Sequence, residues 1–303
     1  MLSPSDIQRI CSALIEQQKL PDDFHHIVND TYLPLSRLIL QRKKSRPLLV
    51  SINGAQGTGK STMTMFLKYI LEAELAASVA VLSLDDFYSV REKRLMLAKE
   101  VHPLLVTRGV PGTHDIDLLE QVLDQLLEQR SCRSPVFDKA MDERCHESMW
   151  TVYEKPVGVI LFEGWCNNSP AQQAHELLKP VNELEQEEDK DGTWRRYVNE
   201  QLQCYHQRVF DRSDMCIMLK APDFDCVYRW RSLQEKKLKT RVSGEASDEK
   251  KQQHIMSDVE MKRFIQHFER ITRHTLAELP KTADIVLPLD VDHSITGITK
   301  EKF

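Results

Sequence analysis

The sequence predicts an α/β fold with a mostly parallel central sheet. Short segments that are almost continuously apolar alternate along the chain with longer segments in which apolar residues recur at helical spacing. Strands covered by helices on both faces have this continuous apolar character, and strands that alternate with helices pair in parallel. A glycine-rich loop also stands between the first apolar segment and the helix after it. Together these observations indicate three layers, with helices on both sides of one sheet.

The predicted elements begin with an N-terminal helical extension, residues 1–46. The main domain is predicted at 47–303 and opens with a strand at 47–53. The strongest prediction of a central strand is "VGVILFEG" (Val157–Gly164), because it is apolar along nearly its whole length. Further strands are predicted at "VAVLSL", "DMCIMLKAPD" and "TADIVLPLD", and "SPVFDKAMDER" resembles an edge strand that runs into a polar loop.

A helical insertion is predicted at about 166–210. Its first half contains the acidic run "NELEQEEDKDG", and its second half has helical periodicity. Acidic runs are usually solvated, so we expect these carboxylates at the surface.

Composition and charge limit the classes of partner. The 303 residues carry a formal net charge of -5, which gives no global basic field to attract nucleic acid or an anionic membrane. The seven cysteines are scattered without a C-x-x-C pair, as is typical of reduced thiols. The N-terminus lacks the features of a secretory signal, and no apolar run approaches the ~20 residues of a membrane helix. We therefore expect a soluble, cytoplasmic protein; its oligomeric state cannot be predicted.

The stretch "SINGAQGTGKST" contains Gly-x-x-x-x-Gly-Lys-Ser between a predicted strand and a predicted helix. Glycines in such a loop let successive N–H groups point at phosphate oxygens. The lysine is expected at the β- and γ-phosphates, and the serine hydroxyl can bind Mg²⁺. This pattern predicts a P-loop NTPase fold and a nucleoside-triphosphate site formed by Gly54, Ala55, Gln56, Gly57, Thr58, Gly59, Lys60, Ser61 and Thr62.

The rest of the chain favours phosphoryl transfer over switching or motor activity. No Asn-Lys-x-Asp guanine-recognition motif is present, and the strand "LFEGW" ends in Glu163 alone rather than in adjacent acids. In "LSLDDFY" an apolar strand delivers Asp85 and Asp86 to the edge where α/β sheets gather ligands. A carboxylate there can accept the proton of an attacking hydroxyl. The alternative is that both acids only cap the turn.

Several motifs occur in the order seen in one group of enzymes. The glycine loop, "SLDDFY", "RGVPGTHD", "FDKAMDER", "LFEGW" and "KAPDFDCVYRWRSLQE" resemble the D-glycerate 3-kinase-like P-loop kinases, a group similar to uridine kinase, phosphoribulokinase and pantothenate kinase. The resemblance covers residues 47–290. It implies that the chain uses Mg²⁺ and ATP to phosphorylate a hydroxyl of a small metabolite, with a D-glycerate-like acceptor favoured. It also implies that Asp85 is the base, that Asp86 assists, and that Asp138 and Lys139 contact the acceptor.

Other residues are candidates on chemical grounds. Glu163 ends the central strand beside the loop, where it could hold a Mg²⁺-bound water together with Ser61. Arg108 offers a planar fork for a carboxylate or phosphate oxygen, although a surface ion pair is the alternative. His114 and Asp115 could bond acceptor hydroxyls, but Asp115 is equally suited to cap the following helix.

A basic stretch at about 226–245, "CVYRWRSLQEKKLKTR", is a candidate lid over the phosphates. A cation brought to the γ-phosphate stabilises the charge that develops during transfer. We take Arg229 as the first candidate, ahead of Arg231, Lys236, Lys237 and Arg241. A solvated helix face is the alternative.

Two other functions remain open at this point. One is an ATP-binding regulatory protein with negligible turnover, although paired acids aimed at an acceptor have no use in a pure sensor. The other is a kinase for a nucleoside or a pantothenate-like acceptor, because fold and family do not by themselves determine the substrate.

Overall fold

The computed structural model describes residues 4–21, 23–42, 45–75, 77–154, 156–233 and 257–300. Its centre is a six-stranded sheet in the order β10-β9-β8-β1-β7-β2. Five of these strands pair in parallel: β1 (Leu48–Gly54), β2 (Ser78–Ser83), β7 (Val157–Gly164), β8 (Met215–Lys220) and β9 (Ile285–Pro288). The short β10 (Thr299–Lys300) pairs antiparallel with β9. The predicted α/β class is confirmed.

Helices cover both faces of this sheet. The N-terminal part of the chain supplies α1 (Pro4–Gln17), α2 (Phe24–Ile27), a π-helical turn (Val28–Tyr32), α3 (Leu33–Gln41) and α4 (Lys60–Leu75). The middle supplies α5 (Arg91–Glu100), α6 (Ile116–Leu127), α7 (Glu183–Glu188) and α8 (Thr193–Arg208). Residues 224–233 form α9, and Asp258–Glu278 form the long α10. Short 3₁₀ turns join several of these elements.

The N-terminal extension packs on the helix that follows the glycine-rich loop. Phe24 and Tyr32 contact Phe66 of α4, with ring centroids 5.4 and 5.6 Å apart. Leu35 and Ile39 of α3 are completely buried in the same hydrophobic cluster as β1 and α4. The extension therefore supports the helix whose first turn forms part of the loop. Whether it is a separate domain stays a prediction.

The predicted edge strand "SPVFDKAMDER" does not join the central sheet. Its first residue, Ser134, is the last of β3 (Cys132–Ser134), which pairs with β6 (Thr151–Tyr153). The rest of the segment forms β4 (Phe137–Asp138) and β5 (Glu143–Arg144), which pair with each other. β2 is one edge of the main sheet, with β10 at the other, and Tyr153 of β6 contacts it. The Tyr153 hydroxyl donates to the carbonyl of Val81 (2.7 Å) and accepts from its N–H (3.3 Å).

The expectation of a solvated acidic insertion was wrong for two of its carboxylates. Glu185 and Asp189 are both completely buried. Glu185 binds the Arg270 guanidinium with contacts of 2.7 and 2.6 Å, and Asp189 accepts from Arg195 at 2.9 Å. Buried carboxylates are tolerated when they are paired and hydrogen-bonded in this way. The partner Arg270 lies on α10, 85 residues beyond Glu185 in the chain, so local composition could not reveal it.

None of the helices that the structure describes is long and apolar enough to cross a membrane. All seven cysteines are free thiols.

Candidate active site

The glycine-rich loop connects the end of β1 to the first turn of α4, as predicted. Gly57 and Gly59 have φ values of 84° and 88°, which residues with a Cβ rarely adopt. The Lys60 ammonium curls back to the carbonyl of Ala55 at 3.1 Å. The α4 N-terminus presents its unpaired N–H groups and positive dipole end at the same place. The loop thus has the geometry of a phosphate-binding site.

A cavity of about 260 Å³ lies beside this loop. Four of the predicted phosphate-binding residues line it, namely Gln56, Gly57, Lys60 and Ser61. The other lining residues come from six further segments: Asp85, Tyr88, Arg108, Lys139, Glu163, Trp165, Arg231, Phe264 and Phe268. The structure therefore brings the predicted base Asp85 and two of the five predicted acceptor contacts, Arg108 and Lys139, to the loop.

Lys60 is a partly buried cation that lines this cavity. Burial lowers the pKa of its ammonium, while the carboxylates of Glu163 and Asp85 act in the opposite direction. A cation that has lost part of its hydration interacts strongly with an incoming phosphate, because the surrounding medium screens it poorly.

Ser61 and Glu163 form the candidate metal site. The Ser61 hydroxyl donates to the Glu163 carboxylate at 3.0 Å, so the two oxygen groups converge beside the loop. The described residues contain no group of three or more His, Cys, Asp or Glu side chains able to hold a metal by themselves. Magnesium in nucleotide enzymes needs only one or two protein oxygens, since phosphates and waters complete its shell. This donor pair fits that requirement.

Asp85 follows the end of β2, on a 3₁₀ turn (Leu84–Phe87). Its two carboxylate oxygens have different partners: the Tyr88 hydroxyl donates to Oδ1 at 2.7 Å, and the Lys139 ammonium lies 2.6 Å from Oδ2. Burial alone would raise the pKa of Asp85, but the charge and hydrogen bond of Lys139 and the hydrogen bond of Tyr88 outweigh it and lower the pKa to about 2. The carboxylate is ionised throughout the physiological range.

Asp86, its neighbour, faces a different environment. It accepts a hydrogen bond from the N–H of Phe137 at 3.2 Å, and it is not among the residues that line the cavity. Burial raises the pKa of Asp86 to about 6. The structure thus gives the two acids different surroundings, with Asp85 at the cavity and Asp86 holding β4 against the 3₁₀ turn.

The turn between β4 and β5 brings Lys139 to the cavity, and the side chains of Arg94 and Arg108 hold this turn in place. Arg108 donates to the Lys139 carbonyl at 3.1 Å and binds the Asp142 carboxylate at 2.5 Å. Arg94, only 1% exposed, binds the other oxygen of Asp142 at 2.9 Å. Asp142 itself has a φ of 53°. Neither Arg94 nor Asp142 was singled out from sequence, because α5 is rich in charged residues and nothing marks one of its arginines as buried.

Three predicted acceptor contacts do not reach the cavity. His114 is buried and hydrogen-bonded to the Tyr205 hydroxyl at 3.0 Å, and burial lowers its pKa to about 4. Its ring stacks on Tyr88 with a centroid distance of 4.8 Å. Asp115 caps α6 and pairs with Arg144 at 3.0 Å. Asp138 accepts from two N–H groups of its own turn. These residues support the cavity walls from behind.

The apolar wall of the cavity was largely missed from sequence. Trp165 is 4% exposed, donates to the Gly109 carbonyl at 2.8 Å and packs edge-on against Phe268, with ring centroids 5.0 Å apart. Phe264 and Phe268 come from α10. Their positions in the helix match ordinary core packing, so only the tertiary structure shows that they also face the cavity.

Within the candidate lid, Arg231 rather than Arg229 lines the cavity. Arg229 contacts the Cys226 sulfur at 2.9 Å and lines a separate groove with Arg273. The remaining lid candidates Lys236, Lys237 and Arg241 lie outside the described residues.

Comparisons with known proteins identify the relatives of this chain. Residues 49–168 match the phosphoribulokinase/uridine kinase family model. The chain is similar to the uncharacterized kinase mug58 of Schizosaccharomyces pombe, with 33% identity over 221 residues that span 69% of this chain and 77% of that protein. It is also similar to the chloroplastic D-glycerate 3-kinase of Arabidopsis thaliana, with 30% identity over 263 residues that span 81% of this chain and 53% of that protein.

Among solved structures, the fold resembles that of D-glycerate 3-kinase from Cryptococcus neoformans. The two share 22% identity and a TM-score of 0.72, over 89% of this chain and 99% of that chain. At this level of identity the likeness concerns the fold, and it agrees with a P-loop kinase architecture.

Proposed function

This chain belongs to the phosphoribulokinase/uridine kinase family and is a kinase, and from that premise we propose that it transfers the γ-phosphoryl group of ATP to a hydroxyl of a small metabolite. The favoured acceptor is D-glycerate or a closely similar hydroxy acid. One observation carries the proposal: Asp85 lies in the same cavity as the phosphate-binding loop and beside the cations Lys139 and Arg108.

In the proposed reaction, the loop and Lys60 bind the triphosphate and fix the γ-phosphorus next to the acceptor. Ser61 and Glu163 would hold Mg²⁺, which neutralises negative charge on the phosphate oxygens. The acceptor hydroxyl oxygen forms a bond to the γ-phosphorus as the bond from that phosphorus to the bridging oxygen breaks. ADP leaves with the electron pair of the broken bond, and the hydroxyl proton passes to Asp85. Trp165, Phe264 and Phe268 exclude water from the acceptor side.

The charges of the cavity support an anionic acceptor. Its described lining residues include Lys60, Arg108, Lys139 and Arg231 against two carboxylates, Asp85 and Glu163. Arg108 is already engaged by Asp142 and by the Lys139 carbonyl. The Lys139 side chain, 59% exposed, is therefore the better candidate to bind an acceptor carboxylate. The similarity to an Arabidopsis D-glycerate 3-kinase supports D-glycerate as the anionic acceptor.

The proposal is tested by measuring ADP release from ATP and Mg²⁺ over a panel of acceptors. The panel contains D-glycerate, nucleosides, pantothenate and sugars, with Lys60→Ala and Asp85→Asn as controls. We expect D-glycerate to raise turnover at least about 100-fold above hydrolysis without acceptor, and Asp85→Asn to remove most of this gain. Activity with a nucleoside or pantothenate alone would overturn the acceptor assignment. Bound ATP with no active acceptor would favour a regulatory protein.

A further inference from the structure

The Asp85 carboxylate, which we assign as the base, is masked in this structure, meaning that each of its two oxygens already has a partner. Tyr88 occupies one of its oxygens, and the Lys139 ammonium lies 2.6 Å from the other. A base of a kinase must instead direct an oxygen at the hydroxyl it deprotonates. An ammonium in direct contact stabilises the ionised form of Asp85 and competes with that hydroxyl for the same oxygen. The ammonium occupies one acceptor position on this oxygen and lowers its basicity, so we expect Lys139 to move before Asp85 accepts the proton.

The main chain of the turn is fixed on both sides of Lys139. The Asp138 carboxylate accepts from the N–H groups of Ala140 and Met141 at 2.8 and 3.0 Å. Arg108 donates to the carbonyl of Lys139 itself at 3.1 Å. The Lys139 side chain, in contrast, is 59% exposed, and within the described residues Asp85 is the hydrogen-bond partner of its ammonium. The backbone of Lys139 is therefore held by hydrogen bonds, whereas its exposed side chain has room to change position.

Asp142 determines which cation can be released. It binds Arg94 at 2.9 Å and Arg108 at 2.5 Å, so the guanidinium of Arg108 is held between this carboxylate and a backbone carbonyl. The planar guanidinium of Arg108 thus has two fixed acceptors, whereas the hydrogen-bond partner of the Lys139 ammonium within the described residues is Asp85. Of the two cations nearest the acceptor side, Lys139 is therefore the one that an incoming anion can take.

We propose that the carboxylate of the acceptor draws Lys139 away from Asp85 and thereby unmasks the base for the acceptor's own hydroxyl. The exchange rests on the proposed function, because it requires an acceptor that carries both a carboxylate and a hydroxyl. It balances charge, since one anion replaces another on the same ammonium. Water and neutral alcohols bring no carboxylate, so they meet a masked Asp85. The pair therefore selects hydroxy acids and limits the hydrolysis of ATP.

The inference can be tested with a carboxylate that cannot be phosphorylated. Propionate carries the anion without a hydroxyl, and propionamide is its neutral counterpart. The assay uses the full-length protein with ATP and Mg²⁺. We expect propionate to raise ATP hydrolysis about tenfold, because freeing Asp85 restores part of the roughly 10²–10⁴ in rate that a general base contributes. Propionamide should leave hydrolysis unchanged. In the stimulated reaction water attacks the γ-phosphorus, ADP leaves, and the proton of water passes to Asp85.

Substitutions at Lys139 provide the second arm. Lys139→Met removes the charge at similar length, so hydrolysis without acceptor should rise about tenfold and lose its response to propionate. Lys139→Arg keeps the charge but binds carboxylates more tightly, so we expect its hydrolysis without acceptor to stay below that of Lys139→Met and its response to propionate to be weaker than in the wild type. Equal hydrolysis with propionate and propionamide would overturn the inference, and this comparison needs no variant. Unchanged hydrolysis in a folded Lys139→Met protein would overturn it as well.

Phosphorylation of D-glycerate by the wild-type protein is measured in parallel. If phosphoglycerate forms but propionate has no effect, the proposed function stands and Lys139 only binds substrate. If no hydroxy acid is phosphorylated, the proposed function fails whatever the hydrolysis assay gives.

Discussion

Two ion pairs of the molecule differ in how far they are exposed to solvent. In the cavity, Asp85 is 29% exposed and its partner Lys139 is 59% exposed. In the insertion, Glu185 is fully buried and its partner Arg270 is 6% exposed. Arg270 also donates to the carbonyls of Glu176 and Lys179. One pair can open without exposing buried charge, whereas the other cannot.

The consequence is that similar ion pairs have opposite functions. Breaking a buried pair leaves an uncompensated charge in a medium of low dielectric constant, which costs far more than opening an exposed pair. The pair of Glu185 and Arg270 attaches the insertion to α10, and α10 supplies Phe264 and Phe268 to the cavity. The pair of Glu185 and Arg270 thus holds a wall of the cavity, whereas Asp85 and Lys139 line the cavity itself.

The largest expected effect comes from removing the charge of Asp85. Asp85→Asn keeps the shape of the side chain but takes away the proton acceptor, so kcat should fall about 10²–10⁴-fold. The melting temperature should stay nearly unchanged, because the side chain is partly exposed. Steady-state kinetics and thermal melts check both statements. A fall in kcat that is matched by global unfolding would place Asp85 with the structural acids instead.

The next effect is in stability. Glu185→Ala leaves the Arg270 guanidinium buried without its carboxylate, and we expect a loss of about 3–5 kcal/mol in the free energy of unfolding. Urea denaturation followed by circular dichroism measures it.

Glu183→Ala is the matched control for this substitution. Glu183 lies on the same helix and pairs with Lys262 on α10, but the two side chains are 68% and 58% exposed. Its removal should leave the urea midpoint within experimental error, because exposed pairs contribute little. Equal losses in the two variants would show that burial does not distinguish these pairs.

The smallest expected effect is a pH dependence in the same region. His267 of α10 is buried, and burial lowers its pKa from 6.5 to about 4. As pH falls below 6.5 the unfolded chain binds a proton that the folded protein excludes, so stability is lost between pH 6.5 and 4. For this histidine the loss amounts to about 2 kcal/mol at pH 5. Urea denaturation at pH 7 and pH 5 measures it.

His267→Gln cannot be protonated, so the difference in stability between pH 7 and pH 5 should shrink by about the same 2 kcal/mol. His114, whose pKa is also lowered to about 4, acts in the same direction, whereas Asp86, whose pKa is raised to about 6, binds a proton in the folded protein and acts in the opposite direction. Asp85, with a pKa of about 2, should add nothing in this range. An unchanged difference in the variant would mean that His267 is protonated in the folded protein.

The sequence was sufficient for the fold and for the loop because both depend on local patterns. Continuous apolar strands, helical periodicity and the order of glycines, lysine and serine are all visible within about ten residues. The same holds for Asp85, which follows directly from the end of β2. The prediction of a solvated acidic run failed because the burial of Glu185 depends on Arg270, a distant residue that no local pattern identifies.

The same reason explains the uneven prediction of the site. Lys139 was found through its motif, but the clamp of Arg94 and Arg108 on Asp142 joins three separate segments. His114 and Asp115 occupy the expected loop, yet their side chains turn to Tyr205 and Arg144. Sequence gives the position of a residue along the chain, whereas the direction of its side chain depends on which neighbours satisfy it.

The tyrosine at the edge of the sheet has a consequence for association between molecules. An exposed edge strand offers unpaired N–H and C=O groups to the strands of other chains and is a common starting point for aggregation. In β2 the Tyr153 hydroxyl satisfies both groups of Val81, in the middle of the strand. A foreign strand would have to displace this hydroxyl before it could pair there. β2, which leads into the proposed base Asp85, is thereby protected at Val81 from intermolecular pairing. Tyr153 does so without lining the cavity.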